Sequence, residues 1–187
     1  NEFIHGDKTI LLIKTSPRGP QSISGSEVVS TTAIVESIVA NIPNAPAIRL
    51  VDAKISQYQI DNIHNIGHVF VSTSRCEGWG LSIFEACGFG NPVICGRFGG
   101  QTDFLDQSPN DLLDGRKTEA FDPMNLIQGG VHWMEFDTAV VSRSLRQTMN
   151  QYKERKKRAG LYAKTLEPKY GEARIGELLD PIMTDSS

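Results

Sequence analysis

The sequence predicts an α/β fold: a Rossmann-like parallel sheet with helices on both faces. Three observations point to it. Short continuous apolar runs read as strands buried on both faces, apolar residues recur at three- and four-residue spacing between them, and glycine-rich turns join the two patterns. The composition agrees. The 187 residues hold 39% hydrophobic and 22% charged side chains with 17 Gly and 9 Pro, the make-up of a globular chain little longer than one domain.

The first strand is the run Thr-Ile-Leu-Leu-Ile at residues 9–13, ended by the loop Lys14-Thr15-Ser16-Pro17-Arg18-Gly19. Ser24 and Glu27 then have the spacing of a capping box, and Val28, Val35, Ile38, Val39 and Ile42 recur at helical intervals up to Pro43. Residues 47–51 form a second strand, and Ser56-x-x-Gln59 opens a second helix carrying Ile60 and Ile63. A third strand at 68–72 leads into Glu77-Gly78-Trp79-Gly80, after which Leu81, Ile83, Phe84 and Cys87 mark a buried helix face. Residues 92–95 are a fourth strand, closed by Gly99-Gly100. From 108 to 130 the pattern weakens, with a fifth strand within 117–121. Helical spacing returns over 138–152 and runs into six residues, 153–158, of which five are basic, the face of a solvated helix. A short helix follows Pro168. The expected division is an α/β domain at 1–160 and a helical tail at 161–187.

Charge and composition exclude several classes. Nineteen basic against 22 acidic side chains give a net charge of −3, far from the cationic surface of a nucleic-acid binder. No window of about 18 apolar residues could cross a membrane, and the N-terminus lacks the pattern of a secretory signal. The three cysteines, Cys76, Cys87 and Cys95, form no Cys-x-x-Cys pair and no complete disulfide framework. A reducing, cytoplasmic setting fits, with docking of the basic run to a membrane surface or a partner as the alternative. Cys87 and Cys95, inside apolar runs, read as packing residues. The chain starts at Asn1 without an initiator Met, so an excerpt of something longer is expected.

In open α/β sheets ligands bind beyond the carboxyl ends of the strands. The loop after the third strand places Gly78 and Gly80 before a helix start, where backbone N–H groups and the positive end of the helix dipole suit a phosphate. Glu85 lies eight residues after Glu77 inside an otherwise apolar helix. A carboxylate there requires a partner, because burying an unpaired charge is costly. Two neighbouring hydroxyls of a ligand would serve, and so would solvent or a salt bridge to a lysine. No Asp-x-Asp triplet and no His or Cys cluster suggests a metal site. All four histidines read as structural, and His132-Trp133 reads as groove lining or interface packing.

The segment from Cys76 to Ala86, with Gly90-Asn91-Pro92-Val93-Ile94 and Gly99-Gly100, resembles the donor-binding segment of family 4 retaining glycosyltransferases, which have the two-domain GT-B fold. The close match covers about 35 residues, and the strand and helix order extends it over most of the chain. The resemblance implies that the chain is one half of such a fold, the acceptor-binding N-terminal domain being absent. It implies that Glu85 binds the ribose hydroxyls of a UDP- or GDP-linked sugar, that Glu77 faces the donor sugar, and that N–H groups around Gly80 and Leu81 receive the diphosphate. Two cations after the first strand, here Lys14 and Arg18 with types swapped and spacing shortened, would neutralise the leaving group, so no metal or other cofactor is required. Lys54 or Ile55 would flank the base, and Gly99 and Gly100 would close on the donor. The acceptor would be a glycan or lipid hydroxyl, and the isolated chain would not turn over. A sugar-nucleotide epimerase and a non-catalytic nucleotide-binding module are the alternatives. A dehydrogenase is disfavoured, because Ile83 stands where the third small residue of its glycine fingerprint belongs.

Overall fold

The computed structural model describes residues 8–15, 30–106, 108–120 and 130–184. They divide into two compact units, the first through Ile60 and the second from Asp61 onward. The class is α/β, as expected.

In the first unit β1 (Ile10–Thr15) pairs in parallel with β2 (Ala47–Asp52), from Ile10 opposite Ala47 to Thr15 opposite Asp52. The apolar run of β1 predicts burial on both faces, yet Ile10, Leu11 and Leu12 are 64%, 48% and 37% exposed. Among the described residues β1 has a single neighbouring strand, so its flanks are not covered as those of a central strand would be. The capping box at Ser24 lies outside the described residues. Helix α1 (Thr31–Ala40) starts instead at Ser30, whose Oγ accepts from the Ala33 N–H at 3.1 Å. Thr32 donates its hydroxyl to Asp52, tying α1 to the end of β2.

Helix α2 (Gln57–Ile66) begins as its sequence dictates. The Ser56 N–H donates to Gln59 Oε1 at 2.9 Å and the Gln59 N–H donates to Ser56 Oγ at 3.3 Å, the reciprocal arrangement of a capping box.

The second unit is built on a parallel sheet of order β3-β4-β5, with β3 at Phe70–Val71, β4 at Val93–Gly96 and β5 at Asp111–Leu113. Central β4 is buried throughout, which is why its four residues read as an unbroken small and apolar run. Helix α3 (Leu81–Gly88) presents Ile83, Ala86 and Cys87 to the core, where they meet Val93, Cys95, Phe104, Leu105 and Leu166. Helix α4 (Gln101–Leu105) follows β4. The third strand is shorter than the expected 68–72, although the Ser72 N–H still donates to Ile94 O at 2.9 Å.

Three corrections arise here. The expected fifth strand is β6 (Arg116–Glu119), which pairs antiparallel with β7 (His132–Glu135), so an antiparallel pair accompanies the parallel ones. Besides β3, β4 pairs in parallel with β5, three residues that begin on an aspartate and carry no readable period. The helix over 138–152 ends as α5 (Thr138–Asn150), and α6 (Tyr152–Ala163) starts after Gln151 leaves helical geometry at φ −107°, ψ 18°. Helices α7 (Glu167–Tyr170) and α8 (Glu172–Thr184) complete the described chain.

The basic run on α6 is not uniformly solvated. Arg155 reaches Asp111 Oδ1 at 2.5 Å, while Ser144 donates to the other Asp111 oxygen. Lys156 donates to Asn91 Oδ1 at 2.7 Å, and its burial holds its ammonium pKa below the ordinary 10.5. Lys153, Lys157 and Arg158 remain exposed.

Cys87 and Cys95 are buried, and burial pushes both thiols up from 9.0 to about 12. Cys76 is exposed. An aromatic disulfide reagent on the native protein at pH 8 is therefore expected to release one equivalent quickly and the other two only after denaturant is added. Fast release of two or three equivalents would contradict the packing role. Both shifts are upward, so the unfolded thiols ionise first and stability falls as pH rises from about 9 toward 12.

Candidate functional site

The loop that leaves β3 carries the motif, and local geometry explains its residue types. Gly80 has φ +81° and ψ 54°, a left-handed conformation that L side chains resist. It is the N-cap of α3 and offers no side-chain acceptor to the helix. The first-turn N–H groups of α3 thus point out at a helix start without a side-chain cap, an arrangement suited to an anion. Leu81, at the first helical position, has its side chain 69% exposed, so its backbone N–H is what it brings to the turn. Trp79 anchors the turn from below, packing against Phe104 at 5.2 Å, Tyr170 at 5.7 Å and Phe84 at 6.1 Å between ring centroids.

The second glycine loop lies directly against the first. The Gly100 N–H donates to Gly78 O at 3.0 Å. Gly99, at φ +64°, turns toward Glu77, where any Cβ would run into the Glu77 carbonyl oxygen. Beneath both loops sits Gln101, 1% exposed. Its Nε2 donates to Gly96 O at 2.9 Å, while Oε1 is buried without a partner among the described residues. Gln101 directly follows Gly99-Gly100 in the sequence, but nothing in its local pattern shows that its amide underlies Gly80.

Glu77 ends up half-buried on the loop, and Glu85 lies one turn into α3. The Glu85 side chain is 39% exposed, and its Oε2 is 3.8 Å from Nε2 of His64, itself 7% exposed. The side chain thus faces a histidine on α2 on one side and solvent on the other. His64 follows Ile60 and Ile63 on the apolar stripe of α2, and that spacing was the available sign that it points inward.

The structure brings Glu77, Gly78, Gly80, Leu81, Glu85, Gly99 and Gly100 into the second unit. Lys14 belongs to the first unit and lies inside β1 and not in the expected loop after it, with Nζ donating to Thr15 O at 2.6 Å. Lys54 is exposed just after β2 in that same unit. Arg18 lies outside the described residues. An open cleft of about 460 Å³ is lined by Thr73 and Arg75 of the motif loop together with Glu135 and Phe136, among others. The Arg75 guanidinium stacks 4.7 Å above Trp133, so Trp133 packs against the loop. Among the described residues no group of three or more His, Cys, Asp or Glu could hold a metal ion, and no helix is long and apolar enough to cross a membrane.

No curated protein matches the chain. Among solved structures it is similar to one described as "Crystal structure of GtfA/B complex", with a TM-score of 0.47 and 15% identity. That alignment covers 92% of this chain and 36% of the other, so the chain spans about a third of the length of that protein. A sequence model described as "Family 4 Glycosyltransferase in conflict systems" matches residues 35–177, a stretch that holds α2, both glycine loops, Glu77 and Glu85. The chain belongs to the family 4 glycosyltransferases of conflict systems.

Proposed function

We propose that this chain binds a nucleoside diphosphate sugar, UDP- or GDP-linked, and forms the donor half of a retaining hexosyltransferase with a GT-B fold. The observation that carries the reading is the start of α3: no side-chain cap, a left-handed Gly80, a second glycine loop hydrogen-bonded alongside, and carboxylates at Glu77 and Glu85 on either side. The diphosphate lies on the N–H groups of Gly80 and Leu81, and the helix dipole stabilises the charge that develops as the sugar–phosphate bond breaks. Glu85 accepts from the ribose hydroxyls, and Glu77 faces the sugar. Gly99 and Gly100 are assigned to closing the donor pocket. A separate domain supplies the acceptor, a glycan or lipid hydroxyl, and this chain alone does not turn over. No metal takes part in this scheme.

Calorimetric titration with UDP and with GDP tests the reading. One of the two is expected to bind with Kd below about 1 mM, and Glu85→Ala is expected to weaken it at least ~10-fold, about 1.4 kcal/mol. Absence of binding to both, or an unchanged affinity in Glu85→Ala, would overturn it.

A further inference from the structure

We infer that His64 is the positioning residue for Glu85: a buried imidazole that draws one carboxylate oxygen toward itself and leaves the other to the ligand's paired hydroxyls. The inference rests on the donor-site reading of Glu85 given above. The contact of 3.8 Å between His64 Nε2 and Glu85 Oε2 is too long for a hydrogen bond and close enough for the edge of the imidazole to face the carboxylate. A modest closing movement of the glutamate makes it direct.

The imidazole is fixed from several sides. It stacks on Phe89 with centroids 5.3 Å apart and planes 12° from parallel, and lies tilted against Phe70 at 5.8 Å. Its backbone carbonyl accepts from Asn91 Nδ2 at 2.7 Å, and Asn91 is 2% exposed. Lys156 in turn donates to Asn91 Oδ1 at 2.7 Å, so α6 braces the turn against which His64 rests. A side chain placed this firmly does not follow a neighbour's motion. The neighbour adapts to it.

Glu85 is the more exposed partner, more than a third exposed on α3. A free glutamate loses rotamer freedom when it chelates a diol, and a glutamate already drawn to a rigid cation or N–H donor loses less. A single neutral donor on Oε2 also leaves Oε1 its full acceptor capacity. The core packing of His64 would be served equally by phenylalanine, which fills the same stack without facing a carboxylate.

Two variants of the full chain separate these roles. His64→Phe keeps the stacking and removes the donor, while His64→Gln keeps an N–H donor. Titrated with UDP and GDP, His64→Phe is expected to bind about tenfold more weakly, the scale of a coupling between contacting residues. His64→Gln is expected to recover at least half of that loss. In a Glu85→Gln background His64→Phe is expected to change nothing further. An independent reading is the His64 imidazole ¹⁵N resonance, which should move on nucleotide addition in the wild type and stay still in Glu85→Gln; this needs no folded His64 variant. Wild-type affinity in His64→Phe, additive effects in the double variant, or an unmoved resonance would each overturn the inference while Glu85→Gln still weakens binding. Failure of the wild type to bind either nucleotide, or normal binding by Glu85→Gln, defeats the donor-site reading and this inference with it.

Discussion

Gly100→Val is expected to abolish measurable nucleotide binding, a loss of tenfold or more, and to lower the melting temperature. A Cβ on Gly100 would sit 3.1 Å from the Gly78 carbonyl carbon and 3.1 Å from Trp79 Cα, and closer still to the Gly78 oxygen. All three are backbone atoms, so no side chain can swing aside. The two loops must part, and the 3.0 Å bond from the Gly100 N–H to Gly78 O goes with them. Overpacking of this kind costs about 1–3 kcal/mol, which for a chain of this size lowers the melting temperature by roughly 2–12 °C. Gly78→Ala is the control, because nothing lies within 4 Å of a Cβ there. It is expected to fold and melt like the wild type. Calorimetric titration with UDP and GDP, beside thermal melts of both variants, checks the pair. Normal affinity in Gly100→Val would show that the two loops do not have to touch for the site to work.

Trp79→Ala has the largest expected effect on stability. The indole is the hub of an aromatic cluster: it meets Phe84, Phe104 and Tyr170, while Phe84 meets Phe104 and Tyr170 edge-on at 5.1 Å and 5.5 Å. The Tyr170 hydroxyl donates to Asp103 O at 3.1 Å, so the cluster also fastens α7 to α4. Trp79 is only half-buried, which places the cost near the lower end for aromatic truncation, about 3 kcal/mol. A fall in melting temperature of roughly 6–12 °C follows. Trp79→Phe keeps part of the ring contact and is expected to lose less than half as much. A drop of less than ~2 °C in Trp79→Ala would mean that the cluster is incidental to the fold.

Much of the site was legible because it is local. The alternation from strand to glycine turn to helix between Phe70 and Gly96 is written in contiguous residues, and the capping signals at Ser56 and Gln59 appear in space as they do in sequence. What escaped was made by distant partners. Asp111-Leu112-Leu113 is a strand because β4 offers it a ladder, and its own three residues carry no period. The basic run on α6 looked solvated because Asp111 and Asn91, which engage Arg155 and Lys156, lie far back in the chain. His64 was read as structural for the same reason. Its packing is indeed that of a core residue, and only the folded chain places Glu85 against it.

The bond from Lys156 to Asn91 sets a practical limit on how the donor half can be dissected. Every residue of the glutamate motif lies before position 86, yet its backing reaches to α6, where Ala159 is 2% exposed, and to Leu166, which is 4% exposed. Trimming the protein at Asn150 would delete no motif atom, but it would open the floor beneath His64 to water. The shortest fragment worth carrying into ligand studies therefore runs through Tyr170, and one ending earlier would report on a damaged scaffold instead of on the chemistry of the turn.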